Sequence, residues 1–531
     1  MSSKGQIASA ALVMSIATSI SRVSGLIRDV VVARMFGAGV TTDAFFMAFT
    51  IPNLLRRFFA EGSLTAAFVP VFSEVFHRRG EQEAQRLANR CATLLLLVMF
   101  VVVALGLLFS PWIVQGIGYG FAQTEGKLEL THQLNLMMFP YIAMVSLLAL
   151  LTGILNVRGH FFLPSLSPLL LNLAMIFGAL SLGQLFHRPV FGLAAGVLLG
   201  GVLQLLLQFP ALFRYRIRLR LDFGFRHDQH VKKIAMLMLP GIAGVAIYQI
   251  NIVVTRLLAS FLPDGSVSYL YYGQRLFEFP QGIFIVSLAQ AALPMMSRQI
   301  ADGDHQGMRQ SLNFSFSLIT LISLPAMIGL VLCAKPVFSL FFLGGAFSLA
   351  DLDNSALALV CFAPGLLFVG YSRIAAQTFY AFKDTRTPVK VSFWTLLVNL
   401  GAGLLLMQWL GFVGLAIALT LSSVFNAGAL MYLLQKKLQL TVIGMLLQQS
   451  FRVLFACVPM GVLVYLVLGF ADWQQVGITP LKFIVLSGAV TSGALLFVMT
   501  CLLLKIDEAH QLLRLVKRKF SREKWQDNNN Q

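Results

Sequence analysis

Charged side chains are scarce in this sequence. Asp, Glu, Lys and Arg together make up 12% of its 531 residues, about half the roughly 25% of a soluble domain. Acids are the scarcest, 22 against 40 Lys and Arg. Cysteine is sparse too. Cys91, Cys333, Cys361, Cys457 and Cys501 stand singly in or beside apolar runs, which excludes a disulfide scaffold and any zinc spacing. The histidines offer only His227-x-x-His230 in a charged loop, so no metal and no cofactor is expected. Membrane-embedded transfer chemistry would need an acid or base beside the reacting atoms, and no cluster of Asp and His supplies one.

Hydrocarbon takes the place of charge. Hydrophobic residues reach 57% and mean hydropathy is +0.79. Runs such as Leu94–Phe109, Leu166–Leu182 and Phe483–Leu504 reach or approach the roughly 20 residues that cross about 30 Å of hydrocarbon. Backbone groups in lipid must be satisfied within each segment, so the expected fold is an all-α polytopic membrane protein. About fourteen spans are expected, at 6–35, 41–73, 88–114, 130–156, 164–184, 190–213, 230–260, 267–299, 310–333, 354–382, 387–409, 411–435, 446–470 and 478–505. Lys4 followed by Ile7–Ile20 has the outline of a signal peptide. No A-x-A cleavage site follows and the helical pattern continues through Arg34, so a retained first span is expected.

The net charge of +18 reads as cytoplasmic loops rather than nucleic-acid binding. His77-Arg78-Arg79, Arg158, the series Arg214, Arg216, Arg218, Arg220 and Arg226, then Lys383, Lys436 and Lys437 fall in every second loop. The loops between carry Lys127, Arg188, Lys335 and Lys482 with Asp264, Asp351, Asp353 and Asp472. This alternation puts both termini in the cytoplasm.

An internal repeat runs through the chain. Gly37–Pro52 matches Gly265–Pro280 in length, Pro70 pairs with Pro294, Pro164 with Pro388, and Gly192-Leu193-Ala194 with Gly414-Leu415-Ala416, at separations of 222 to 228 residues. The expected organisation is an N-lobe (1–225), a C-lobe (226–440), two extra helices (441–507) and a basic tail (508–531). Six spans per copy make the lobes face the same way. Such lobes suit a transporter whose substrate site lies near the midplane.

Several charges fall inside the spans. Ser21, Arg22, Ser24, Arg28 and Asp29 share one side of the first, and Asp43, Asn53, Arg56, Arg57 and Glu61 lie in the second. Arg275 and Glu278 in the eighth have the i,i+3 spacing of a pair. An arginine at the bilayer centre costs about 2.5–3.5 kcal/mol on insertion scales, so a wet cavity is the expected setting for Arg22, Arg28, Arg56 and Arg275. Arg34 and Arg256 fit snorkelling, while Asp43 and Glu61 equally fit a structural lattice around the arginines. Guanidinium binds phosphate bidentately and stays charged in a low dielectric, which suits a phosphate or pyrophosphate head group.

Ser21–Gly62 (SRVSGLIRDVVVARMFGAGVTTDAFFMAFTIPNLLRRFFAEG) resembles the opening of the MurJ (MviN) family of lipid II flippases. Gly265–Gly282 (GSVSYLYYGQRLFEFPQG) and Phe379–Lys390 (FYAFKDTRTPVK) resemble its second lobe, and the likeness covers nearly the whole chain. The resemblance implies a multi-pass protein of the bacterial cytoplasmic membrane. It would move lipid II, an undecaprenyl-pyrophosphate-linked disaccharide peptide, from the inner to the outer leaflet by alternating access. It carries the family's cavity arginines onto Arg22, Arg28, Arg56 and Arg275, with Ser21 and Asn53 beside the substrate. Asp43, Glu61 and Glu278 fall on positions that line or brace the cavity. The last two helices would groove the polyprenyl tail, and the cell-wall synthesis machinery is a candidate partner. One departure stands out: no Asp or Glu lies within 230–260 or 387–409, which disfavours a sodium site of the kind some relatives have and favours membrane potential as the drive. The alternative is an exporter of another lipid-linked oligosaccharide, or a multidrug exporter, of the same superfamily.

Overall fold

A computed structural model describes residues 3–58, 64–439, 442–511 and 514. The chain is all-α. Its first helices are α1 (Ser3–Phe36), α2 (Val40–Phe58), α3 (Leu64–Arg79), α4 (Glu81–Leu108) and the short α5 (Ser110–Ile117). Then come α6 (Lys127–Met138), α7 (Tyr141–Val157), α8 (Phe162–Leu180), α9 (Val190–Leu206), the short α10 (Phe209–Arg214) and α11 (Gln229–Ser260). The second half holds α12 (Ser266–Pro280), α13 (Val286–Ala301), α14 (His305–Phe341), α15 (Leu349–Phe362) and α16 (Gly365–Ala381). The last are α17 (Arg386–Leu410), α18 (Phe412–Leu438), α19 (Val442–Leu468) and α20 (Pro480–Leu503). Among the described residues, ten helical stretches are long and apolar enough to cross a membrane, or eleven with α15 and α16 counted as one bent span.

Two compact units form: Met1–Ser268 with Gly345–Phe347, and Tyr269–Gly344 with Ser348–Gln531. In the first, α3, α4 and α7 bury Phe68, Phe72, Leu87, Leu150 and Ile154, the two Phe rings stacked with centroids 5.0 Å apart. In hydrocarbon, apolar surface alone gives helices little reason to associate, so close packing and interhelical hydrogen bonds hold them. The second unit shows this as a polar seam. The Tyr371 hydroxyl of α16 lies 2.6 Å from Thr320 Oγ1 of α14, and Ser317 of α14 donates to Gln449 of α19 at 2.8 Å.

The repeat has structural counterparts inside each unit. Helix breaks fall at Phe139-Pro140, between α6 and α7, and at Ala363-Pro364, between α15 and α16, two prolines 224 residues apart. The α15–α16 break bends the chain by 41°. Proline lacks the N–H that would continue the ladder and crowds the preceding turn. A second correspondence swaps its members. Arg158 stacks over the Tyr215 ring at 5.9 Å, while Lys437 stacks over the Phe382 ring at 5.1 Å. Position 382 lies 224 residues after 158 and 437 lies 222 after 215. The same two places therefore hold a cation–π pair in both copies, with cation and ring exchanged.

Gly192 and Gly414, another repeat pair, let hairpins close. A Cβ on Gly192 would collide with the backbone of Gly183, and one on Gly414 with the carbonyl of Leu406. Gly192→Ala and Gly414→Ala are therefore expected to destabilise by about 1–3 kcal/mol each. Gly401→Ala, whose Cβ meets nothing within 4 Å, should be neutral or slightly stabilising. Thermal unfolding in detergent, compared across the three variants, checks this.

Candidate functional site

The polar stripe of α1 divides in two. Ser24, Arg28 and Asp29 are buried, whereas Arg22 is exposed and makes no ion pair within 4 Å among the described residues. Arg28 reaches its neighbour Asp29 with Nε at 3.0 Å and Nη2 at 2.7 Å, both on Oδ1. Its Nη1 donates to Asn172 Oδ1 of α8 at 3.0 Å. The Asn172 amide in turn donates to Ser24 Oγ at 2.9 Å and to the Ser21 carbonyl at 3.2 Å. One asparagine thus ties the charged stretch of α1 to α8. Sequence reasoning missed it, although a lone Asn in the apolar run Leu166–Leu182 is the kind of residue that bonds across helices.

On α2, Arg56 Nε donates to Asn53 Oδ1 at 3.0 Å, and both residues are half-buried, as is Arg57. Glu61 lies outside the described residues. In the second unit, Arg275 and Glu278 stand 3.6 Å apart, each about one-third exposed. The pair sits at the end of α12, just before Pro280 and a π-helical turn at Gln281–Ile285. Turns of this kind are frequent at functional sites.

Asp43 has a different setting. It is 1% exposed and accepts four hydrogen bonds. Lys127 Nζ (2.9 Å) and the Gly265 amide (2.7 Å) reach one oxygen. The Ser268 amide (2.9 Å) and hydroxyl (2.7 Å) reach the other. The carboxylate thereby caps the amino end of α12, where exposed N–H groups and the helix dipole favour negative charge. Lys127 also donates to Asp264 at 2.7 Å and lies 4.1 Å from the centre of the Phe121 ring. The sequence marks Lys127 as a loop residue. The structure buries it to 1% exposure, because Asp43 and Asp264 arrive at the same depth. Among the described residues no group of three His, Cys, Asp or Glu could hold a metal ion.

Comparison with known proteins adds an independent finding. A family profile described as "Lipid II flippase MurJ" matches residues 32–484. A probable lipid II flippase MurJ from Vibrio cholerae is 37% identical over 429 residues, covering 79% of this chain and 81% of that protein. One from Haemophilus influenzae is 34% identical over 519 residues, covering 94% and 100%. Among solved structures, a lipid II flippase MurJ in an inward closed conformation superposes with a TM-score of 0.76 at 26% identity, covering 92% of this chain and 98% of that one. An inward-facing multidrug resistance MATE family transporter of the MOP superfamily shares the fold, with a TM-score of 0.67 at 14% identity over 81% of this chain and 98% of that one.

Removing one member of a buried ion pair strands the other. Lys127→Met is therefore expected to destabilise by about 3–5 kcal/mol. Lys335→Met, which breaks the exposed 2.7 Å pair with Asp353, should cost at most about 1 kcal/mol. Unfolding midpoints in detergent compare the two, and adding Asp43→Asn to Lys127→Met should recover part of the loss.

Proposed function

The chain belongs to the MurJ family of lipid II flippases, and on that premise we propose that it moves lipid II from the inner to the outer leaflet of a bacterial cytoplasmic membrane. It is a transporter, not an enzyme. In this reading both termini and the arginine-rich loops face the cytoplasm, as the alternation of loop charge supports. The observation that carries the substrate assignment is Arg22: an exposed guanidinium on α1 with no ion pair among the described residues. A charge within a span persists only where water or a ligand meets it, and a diphosphate is the ligand its planar fork fits.

The proposed contacts follow from how firmly each cation is held. Arg22 is the first contact for the pyrophosphate. Arg275, about one-third exposed and 3.6 Å from Glu278, joins by exchanging that carboxylate for the diphosphate. Arg56 contributes when its Nε leaves Asn53, and Asn53 and Ser21 then hydrogen-bond the head group. Arg28 enters last, because it must give up two short bonds to Asp29 and one to Asn172. Asp43 braces the amino end of α12, and Glu278 recaptures Arg275 after release; Glu61 is assigned a similar bracing part. Neutralising the diphosphate draws the lobes through their cycle, and release resets them.

The tail reading has its own support. Ile328 and Leu332 of α14 with Leu454, Val458, Val462 and Leu466 of α19 line a shallow apolar groove of about 370 Å³, chemistry that suits a polyprenyl chain. Membrane potential is the proposed drive, since one charge moved through 100 mV is worth about 2.3 kcal/mol. Enzymes of cell-wall synthesis would supply and consume the lipid on the two faces.

The test is translocation of lipid II in proteoliposomes. Arg22→Glu and Arg275→Glu should each lower the rate by at least about tenfold, the loss of about 1.4 kcal/mol of binding to the moving species, with unfolding midpoints near that of the parent. Arg28→Glu should lose activity and stability together, because it places a second acid beside buried Asp29. Arg188→Glu, in an exposed loop, should leave the rate unchanged. Full activity in Arg22→Glu would remove the assignment.

A further inference from the structure

The arginine-rich stretch 214–226 takes no part in the transport site described above, yet it is built with care. After α10 the backbone turns at Arg216, in the left-handed region at φ 53°; residues 217–222 follow α4 with neither helix nor turn, ending at Asp222 in the extended region. The fastening is periodic. Gln85 Nε2 donates to the Arg218 carbonyl at 2.6 Å, the Arg220 amide to Asn89 Oδ1 at 3.2 Å, and the Asp222 amide to Thr93 Oγ1 at 2.8 Å. Two residues of strand advance about 6.6 Å and four of helix about 6 Å. Positions 218, 220 and 222 therefore keep step with 85, 89 and 93 on one face of α4.

The acids of the strap are already engaged. Arg90 donates to Asp222 at 3.2 Å and to Asp228 at 2.8 Å. Burial pushes the Asp228 carboxyl up, but Arg90 and the amides of His230 and Val231 outweigh it, and the group stays below the usual carboxylate range. Arg214, Arg216, Arg218, Arg220 and Arg226 are all exposed. Between and beside them stand exposed apolar side chains: Phe213, Leu219, Leu221 and Phe223. Successive side chains of an extended segment point to opposite faces, so Arg218 and Arg220 share one face and Leu219 and Leu221 the other. The polar part of α4 that holds the strap gives way within two turns to exposed Leu96, Leu97 and Phe100, the pattern expected where head groups meet acyl chains.

We propose that this strap is a binding site for an anionic glycerophospholipid, its phosphate and head group held by Arg218 and Arg220 and its acyl chains lying over Leu221 and Phe223. Five exposed guanidiniums with neighbouring acids neutralised are complementary to a negative head group. A soluble acidic partner would gain nothing from Leu221 at 68% and Phe223 at 63% exposure, whereas a lipid covers both. The site is independent of the diphosphate assignment, and its occupant fixes the depth of α4 and of the segment leading into α11.

Native mass spectrometry of the full-length protein in detergent, titrated with phosphatidylglycerol or phosphatidylcholine, tests it. Phosphatidylglycerol should bind in preference. Arg218→Gln with Arg220→Gln should weaken that binding about 25-fold, at about fivefold for each arginine near a lipid surface. Leu221→Ser with Phe223→Ser should also weaken it, while Arg78→Gln with Arg79→Gln, equally basic and exposed, should not. Because all six residues lie on the surface, unfolding midpoints of the variants should match the parent, and lipid counts are compared only where they do. Equal binding of the two lipids, full phosphatidylglycerol binding in the double arginine variant, displacement by millimolar inorganic phosphate, or tighter binding of soluble polyglutamate would each overturn the proposal.

Discussion

A charge taken out of water must meet an opposite charge, a set of hydrogen bonds or a wet space. Desolvation costs several kcal/mol per ion, and the pairing that offsets it needs good geometry. The buried charges described here satisfy that demand partly from a neighbour and largely from residues far apart in sequence. Asp43 collects four donors from Lys127, Gly265 and Ser268. Arg28 is met by Asp29 and by Asn172 of α8. The helices are held where these partners coincide, since in lipid apolar surface alone does little to choose one arrangement over another.

The same demand sorts the arginines by what each is free to do. Arg28, 7% exposed and bonded on three sides, is costly to move and steadies α1 against α8. Arg275 stands 3.6 Å from Glu278, each about one-third exposed. Arg22 is exposed on the same helix that buries Arg28. On the proposed reading Arg22 meets the anion first and Arg28 last, since the bonds of Arg28 also hold α1 to α8.

Repetition leaves its mark at the level of interactions rather than residues. The breaks at Pro140 and Pro364 keep the same residue type, since only proline both removes the N–H and crowds the turn. The contact between positions 158 and 215 survives as 382 and 437 with cation and ring exchanged. A cation–π attraction is indifferent to which helix carries which member, so identity could drift while the contact stayed. This is why the repeat is faint in identities yet plain in offsets.

Much is legible in the sequence itself. Long apolar runs dictate membrane-crossing helices because hydrocarbon leaves the backbone no other partner, and the cost of arginine in lipid singles out Arg22, Arg28, Arg56 and Arg275. The 3.6-residue period places Arg22, Arg28 and Asp29 on one side of α1. It does not say which of them α8 will cover, and Arg28 is buried where Arg22 is exposed. Lys127 reads as a loop residue because nothing local hints that Asp43 and Asp264, 84 and 137 residues away, stand beside it. Asn172 and the strap on α4 were equally hidden. Composition and period are properties of a single segment and are determined by the sequence alone. The partner of each charge depends on which segments reach the same depth at the same face, and only tertiary packing decides that.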